Sequence, residues 1–347
     1  MMRALIKTAS GPGNLALMDA PIPEPRAGEA LVRVLRSGLC GTDLLVCDDV
    51  YRGRRRPVPS PLVLGHEASG EVVVLGPATD GPAAGTRVAI EAVTGCGVCY
   101  QCSRGRYNLC QDWHHIGLTT DGALAEYAVV PVTSLFPLPA SMSLENAAFL
   151  EPLATVMNTL ERVRPLPGTT AAVIGPGPFG LLHVQALRAA GVGPILVFGR
   201  PGDEARLEIA RSAGADDARV ADHADAIACA AHWTDGIGMG LVIECGGTPE
   251  GVQTALEITA GGGTLATLGL VRHTDIDVLQ VMRKDMTWVG VVAAVRRHWA
   301  EAIRLVASGR LDPSMLITHR MSLSEALDGF AALRAREAVK VMYDPAA

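Results

Sequence analysis

The sequence predicts an α/β protein of two domains, one β-rich and largely antiparallel, the other a doubly wound parallel sheet of six strands. Three observations predict it. A chain of 347 residues is long enough for two domains that each bury a core without cross-links. About half of it is apolar, 38 residues are Gly and only 4% are aromatic, a balance that suits α/β architecture with many tight turns. The residue pattern also changes along the chain, from short strands between turn clusters to apolar runs alternating with helical stretches.

From Arg3 to about Val130, strands are predicted at 30–35, 70–75, 86–90 and 123–130, separated by clusters such as Ala20-Pro21-Ile22-Pro23-Glu24-Pro25. Helical spacing begins near Leu144. From Thr170 onward, strands are predicted at 171–175, 195–199, 218–220, 241–245, 264–269 and 287–291. Each of the first five is followed by a helical segment, the arrangement that builds parallel crossovers. Beyond Ala293 come helices at 299–308 and 324–334 and a last strand at 339–343. This tail is expected to fold back onto the first domain and leave a cleft. The domains are therefore drawn as 1–155 with 293–347, and 156–292.

A net charge of -6 with basic residues spread along the chain leaves no footprint for nucleic acid and no polybasic membrane patch. Small molecules are the expected partners. No secretory signal opens the chain, and the apolar region 169–199 is interrupted by Pro176, Pro178, Gly180, Gly191, Gly193 and Pro194. It never reaches the roughly 18 uninterrupted apolar residues of a spanning helix. The expected location is the cytoplasm, where thiols stay reduced.

Four of the eight cysteines crowd into one segment, Cys96, Cys99, Cys102 and Cys110. Four thiolates so close can enclose one tetrahedral zinc at about 2.3 Å each, a closed and therefore structural site. The lobe is drawn as 95–111. A second constellation is dispersed: Gly38-Leu39-Cys40-Gly41-Thr42-Asp43, Gly65-His66-Glu67 and Glu151-Pro152-Leu153-Ala154. One thiolate, one imidazole and one carboxylate would leave a fourth zinc position open to substrate, the layout of a catalytic site. Asp43 is expected to accept the second ring proton of His66 and fix its tautomer.

Gly175-Pro176-Gly177-Pro178-Phe179-Gly180 follows an apolar strand and opens a helical run. Glycines there let the backbone approach a pyrophosphate at the positive end of that helix. An acidic residue about 20 positions on would hold the ribose 2′-hydroxyl of NAD. Here the second strand ends Val197-Phe198-Gly199-Arg200, which favours the 2′-phosphate of NADP. The alternative is that Asp203 still reaches the ribose.

With these motifs in place, the sequence resembles the zinc-containing medium-chain alcohol dehydrogenases, most closely their sorbitol and xylitol, or polyol, branch. Val63-Leu64-Gly65-His66-Glu67-Ala68-Ser69-Gly70 and Gly105-Arg106-Tyr107-Asn108-Leu109-Cys110 carry the resemblance. It implies a GroES-like catalytic domain beside a Rossmann domain, a catalytic zinc on Cys40 and His66, and Thr42 passing the substrate proton outward. Either Glu67 or Glu151 completes the zinc site in such relatives. It also implies a homotetramer or homodimer, and hydride transfer from a secondary alcohol to NAD(P).

Threonine-type and aldose dehydrogenases share this zinc layout. Threonine dehydrogenases usually carry a histidine shortly before the four-cysteine lobe, whereas this chain reads Ala89-Ile90-Glu91-Ala92-Val93. A non-catalytic protein of the same fold would have lost the metal ligands, and Cys40, His66, Glu67 and Glu151 are all present. The arginines of the loop 52–56 could meet an anionic substrate, although such runs are more often solvated. His114 and His115 are read as structural or exposed.

Overall fold

The computed structural model describes residues 1–51 and 58–347. The arginine loop 52–56 lies outside the described residues. The chain divides into two compact units, Met1–Ala154 with Ala293–Ala347, and Thr155–Val292. No described helix is long and apolar enough to cross a membrane.

The first unit is built on a seven-stranded sheet. Its path runs Leu135–Pro137, Arg87–Ile90, Glu67–Leu75, Glu29–Gly38, Lys340–Asp344 and Ile317–Ser322, with Tyr127–Pro131 also pairing Glu29–Gly38. All neighbours are antiparallel except the last two. Those run parallel because the helix Ala326–Arg334 lies between them in sequence and carries the chain back to its starting end. Alternate side chains such as Ala30, Val32, Val34, Val72, Val88 and Ile90 form one core beneath the sheet.

One register detail positions the functional residues. Gly38 pairs with Glu67 on one side and with Met342 on the other. Three distant segments therefore end at one point, just before Cys40.

Several expected boundaries shift. The segment 123–130 is a strand only over Tyr127–Pro131, because its first part is claimed elsewhere: Ala123 N–H donates to Gly65 and Leu124 N–H to Leu64. These bonds brace the loop that presents His66. An N-terminal hairpin, Met2–Lys7 with Leu15–Ala20, was not expected from the turn pattern. The helix expected to start at Trp299 begins at Arg296, since His298 Nδ1 accepts from Val295 N–H at 3.1 Å and caps the turn.

The second unit holds a six-stranded parallel sheet. Its order is Asp217–Val220, Ile195–Gly199, Ala171–Ile174, Met239–Glu244, Thr259–Thr267 and Thr287–Gly290. The order turns around between Ala171–Ile174 and Met239–Glu244, the switch point at which doubly wound sheets bind ligands. Ala171–Ile174 and Ile195–Gly199 are buried throughout, so they read as continuous apolar runs rather than alternating ones. The fifth strand starts at Thr259, five residues earlier than predicted, across Gly261, Gly262 and Gly263. The ladder absorbs those glycines with a register shift between Met239 and Leu241.

His183 sits fully buried in the helix Pro178–Ala189, where Nδ1–H donates to the Phe179 carbonyl at 2.7 Å. Burial lowers its pKa to about 4, against about 6.5 in an unfolded chain. Between these values the unfolded state binds the extra proton, so stability falls as pH drops from about 6.5 to about 4 and is level above that window. The expected loss is about 3 kcal/mol. Urea unfolding of this unit's transition at pH 7 and pH 4.5 measures it, and His183→Gln should flatten the dependence.

Candidate functional site

Cys40 closes the turn before the short helix Gly41–Cys47, and Asp43 in the first turn reaches back so that Oδ2 accepts from Cys40 N–H at 2.9 Å. That bond fixes the thiol at the helix start. Asp43 Oδ1 faces His66 Nδ1 at 3.5 Å, and both atoms are buried without a hydrogen-bond partner. Asp43 thus stands next to the His66 ring, but the expected hydrogen bond from the second ring nitrogen is not made. Thr42 lies two residues after Cys40, in the first turn of that helix, half-buried.

The ligand atoms of Cys40, His66 and Glu67 lie within 4.8 Å of one another. Glu151, in the first turn of Leu150–Val163, falls outside that triad yet remains close enough to feel it. Burial raises its carboxyl to about 7, with His66 opposing the shift and Glu67 adding to it. Burial disfavours the proton on His66, but Asp43 and Cys40 outweigh it and hold the imidazole pKa well above its usual value. A soft thiolate, an imidazole and a hard carboxylate form a donor set suited to zinc.

Two members of this site were not foreseen. Lys340, on the last strand and 1% exposed, pairs with Glu67 and lies 5.4 Å over the Phe149 ring. Burial works against its charge, and Glu67 and Cys40 restore it, leaving its pKa raised. A lysine inside the apolar run 339–343 was the available signal. His115 is the other: buried, it packs edge-on to His66 with centroids 5.2 Å apart and to Trp113 at 5.0 Å. His114 is exposed, as expected.

The sulfurs of Cys96, Cys99, Cys102 and Cys110 also lie within 4.8 Å of one another, with none in a disulfide. The Cys99 and Cys110 sulfurs are 3.8 Å apart. Four sulfurs about 2.3 Å from a tetrahedral zinc would be separated by about 3.8 Å, so the set has the dimensions of a closed zinc site. Only a four-residue helix, Tyr100–Ser103, and a 3₁₀ turn, Tyr107–Leu109, organise the lobe.

In the second unit, Gly175, Gly177 and Gly180 form the turn between Ala171–Ile174 and the helix Pro178–Ala189, with Gly177 as N-cap, Pro178 in the first turn and Phe179 following. Gly175 has φ +95°, and a Cβ there would stand 2.6 Å from Gly246 Cα. Only glycine satisfies both demands. At the end of the second strand, a Cβ on Gly199 would meet Asp203 Cβ at 3.0 Å and Pro176 Cγ at 3.2 Å. Asp203 is 2% exposed, accepts from Arg200 N–H at 3.1 Å and faces Arg206 at 3.7 Å. Arg200 itself is exposed.

Residues 26–140 match the family described as alcohol dehydrogenase GroES-like domain, and residues 178–308 match zinc-binding dehydrogenase. Over 99% of both chains, the protein is 32% identical to a sorbitol dehydrogenase of Halalkalibacterium halodurans. It is 34% identical to an L-threonine 3-dehydrogenase of Pyrococcus horikoshii, over 99% of this chain and 98% of the relative. The structure of a zinc-binding dehydrogenase from Sinorhizobium meliloti bound to NADP superposes with a TM-score of 0.91 at 32% identity, covering 99% of each chain. With a GroES-like unit, a Rossmann sheet and these relatives, the chain belongs to the zinc-containing medium-chain alcohol dehydrogenase superfamily, on the branch that includes sorbitol dehydrogenase, and is an oxidoreductase.

Proposed function

We propose that the protein oxidises a secondary alcohol on a polyol or sugar-like substrate to a ketone, with catalytic zinc and NADP. The observation that carries the reading is the triad of Cys40, His66 and Glu67, three different donors within 4.8 Å. When bound, zinc would supply Lewis acidity toward the substrate hydroxyl, and the nicotinamide cofactor would supply the capacity to take up hydride. Cys40 and a carboxylate balance the metal charge. Glu67 is the carboxylate grouped with the other two donors within 4.8 Å, and Lys340 pairs with it. Thr42, two residues after Cys40, would relay the hydroxyl proton outward. The four cysteines 96, 99, 102 and 110 would hold a second, structural zinc.

For the cofactor, Gly175, Gly177 and Gly180 would let a pyrophosphate approach the first turn of the helix Pro178–Ala189. The Asp203 carboxylate is buried in its own turn, which weakens the case for its binding a ribose. Exposed Arg200, beside Gly199, is left to receive a 2′-phosphate. Arg200→Ala is expected to raise KM for NADP about tenfold or more, the scale of one charge-assisted contact, and to leave NAD nearly unaffected. Initial rates with both cofactors check this.

A threonine-type reading keeps its place because such relatives match at similar identity. Rates on polyols, aldoses, L-threonine and simple alcohols, each with NADP and NAD, separate the two. The expected outcome is highest kcat/KM on a polyol with NADP. A preference for threonine or for NAD reverses the corresponding part, and inactivity at full zinc occupancy overturns the enzymatic reading altogether.

A further inference from the structure

A cavity lies within the first unit, beside the four-cysteine lobe, and shares no residue with the Cys40 site. It measures about 380 Å³ and is lined by Glu91, Thr94, Cys102, Tyr107, Thr133 and Arg296, with Val93 and two glycines of the cysteine lobe completing it. The volume falls in the low part of the roughly 300–1,000 Å³ range of small-molecule sites.

Its polar groups are arranged unusually. Glu91 is only 3% exposed, and its Oε1 accepts from the Tyr107 hydroxyl at 2.6 Å. Arg296 is exposed; its Nη1 donates to the Thr133 carbonyl at 2.7 Å, and its guanidinium lies 4.3 Å over the Phe136 ring. The Phe136 ring is stacked in turn on Trp299 at 5.0 Å, so the cation is held in place by packing. Among the described residues, no ion pair within 4.0 Å joins Glu91 to Arg296. One cavity therefore presents a buried carboxyl and an anchored guanidinium that make no direct ion pair with each other. Burial pushes the Glu91 carboxyl up to about 7, with Tyr107 and Arg296 opposing the shift and Glu151 adding to it, so the desolvated carboxyl has room for a further cationic partner.

We infer that this cavity binds a small zwitterion, an aliphatic α-amino acid, with its ammonium on Glu91 and Tyr107 and its carboxylate on Arg296. A guanidinium fits a carboxylate, and an ammonium satisfies a buried carboxylate that has only one hydroxyl partner. Val93 and the glycine edges offer an apolar wall to the side chain. Neither a simple amine nor a simple acid uses both charges. A polyol supplies no charge for either.

The test is calorimetric titration of the zinc-replete full chain with L-valine, which has no hydroxyl to engage a catalytic zinc. Isobutylamine and isovalerate, the same skeleton lacking one charge each, are the comparisons. L-Valine is expected to bind, with each half-ligand weaker by about tenfold or more. Glu91→Gln and Arg296→Met should each weaken L-valine binding by a similar factor. Arg296 is exposed, so its replacement keeps the test valid even where Glu91→Gln impairs folding. Absence of L-valine binding overturns the inference, as does binding that Arg296→Met leaves unchanged or that either half-ligand matches.

Discussion

Cys40→Ser and His66→Gln are each expected to lower kcat/KM by about 10³ or more, because Lewis-acid stabilisation worth several kcal/mol is lost with the metal. Neither side chain carries the local fold. The helix Gly41–Cys47 is secured by the Asp43 carboxylate on Cys40 N–H, and the His66 loop is secured by backbone bonds from Ala123 and Leu124. The variants should therefore fold and melt normally while losing one equivalent of zinc. Metal analysis alongside kinetics separates this from general damage. Full activity in a Cys40→Ser protein with only its cysteine lobe metallated would remove Cys40 from the chemistry.

The second large effect concerns stability rather than rate. Cys110 is fully buried, yet the segment around it has almost no apolar core, with Val98 89% and Tyr100 69% exposed. A metal held by four thiolates would take the place of that core. Structural zinc in small peptides contributes about 10–16 kcal/mol of apparent folding free energy, so removing one ligand should cost this lobe several kcal/mol. Cys110→Ser, or treatment with a chelator, is expected to open 95–111 to trypsin at Arg104 and Arg106. Mass spectrometry of the fragments reads the outcome. A lobe that resists trypsin equally with and without metal would show that it needs no ion.

Much of this was legible because the relevant chemistry is local in sequence. The four cysteines declare themselves by spacing, and Gly175, Gly177 and Gly180 by lying between an apolar strand and a helix. The doubly wound sheet of six strands followed from strand-helix alternation, whereas its strand order came only from the structure. What escaped notice depends on register. Lys340 reaches Glu67 across 273 positions only because Gly38 pairs both Glu67 and Met342. His115 meets His66 because its two-residue strand pairs Val93–Thr94. Nothing short-range distinguishes it from exposed His114. Glu91 and Arg296 were equally silent, since a shared cavity leaves no pattern in either neighbourhood.

The pairing of Gly38 with Met342 also constrains the order of events during synthesis. The Cys40 thiol and His66 imidazole leave the ribosome early, but the ammonium that pairs with Glu67 belongs to Lys340, 273 positions later. Until that final strand zips into the sheet, the cluster holds several anions and no lysine to offset them. A chain in which that strand has not yet docked would thus present a more electronegative cluster to divalent ions than the folded unit does.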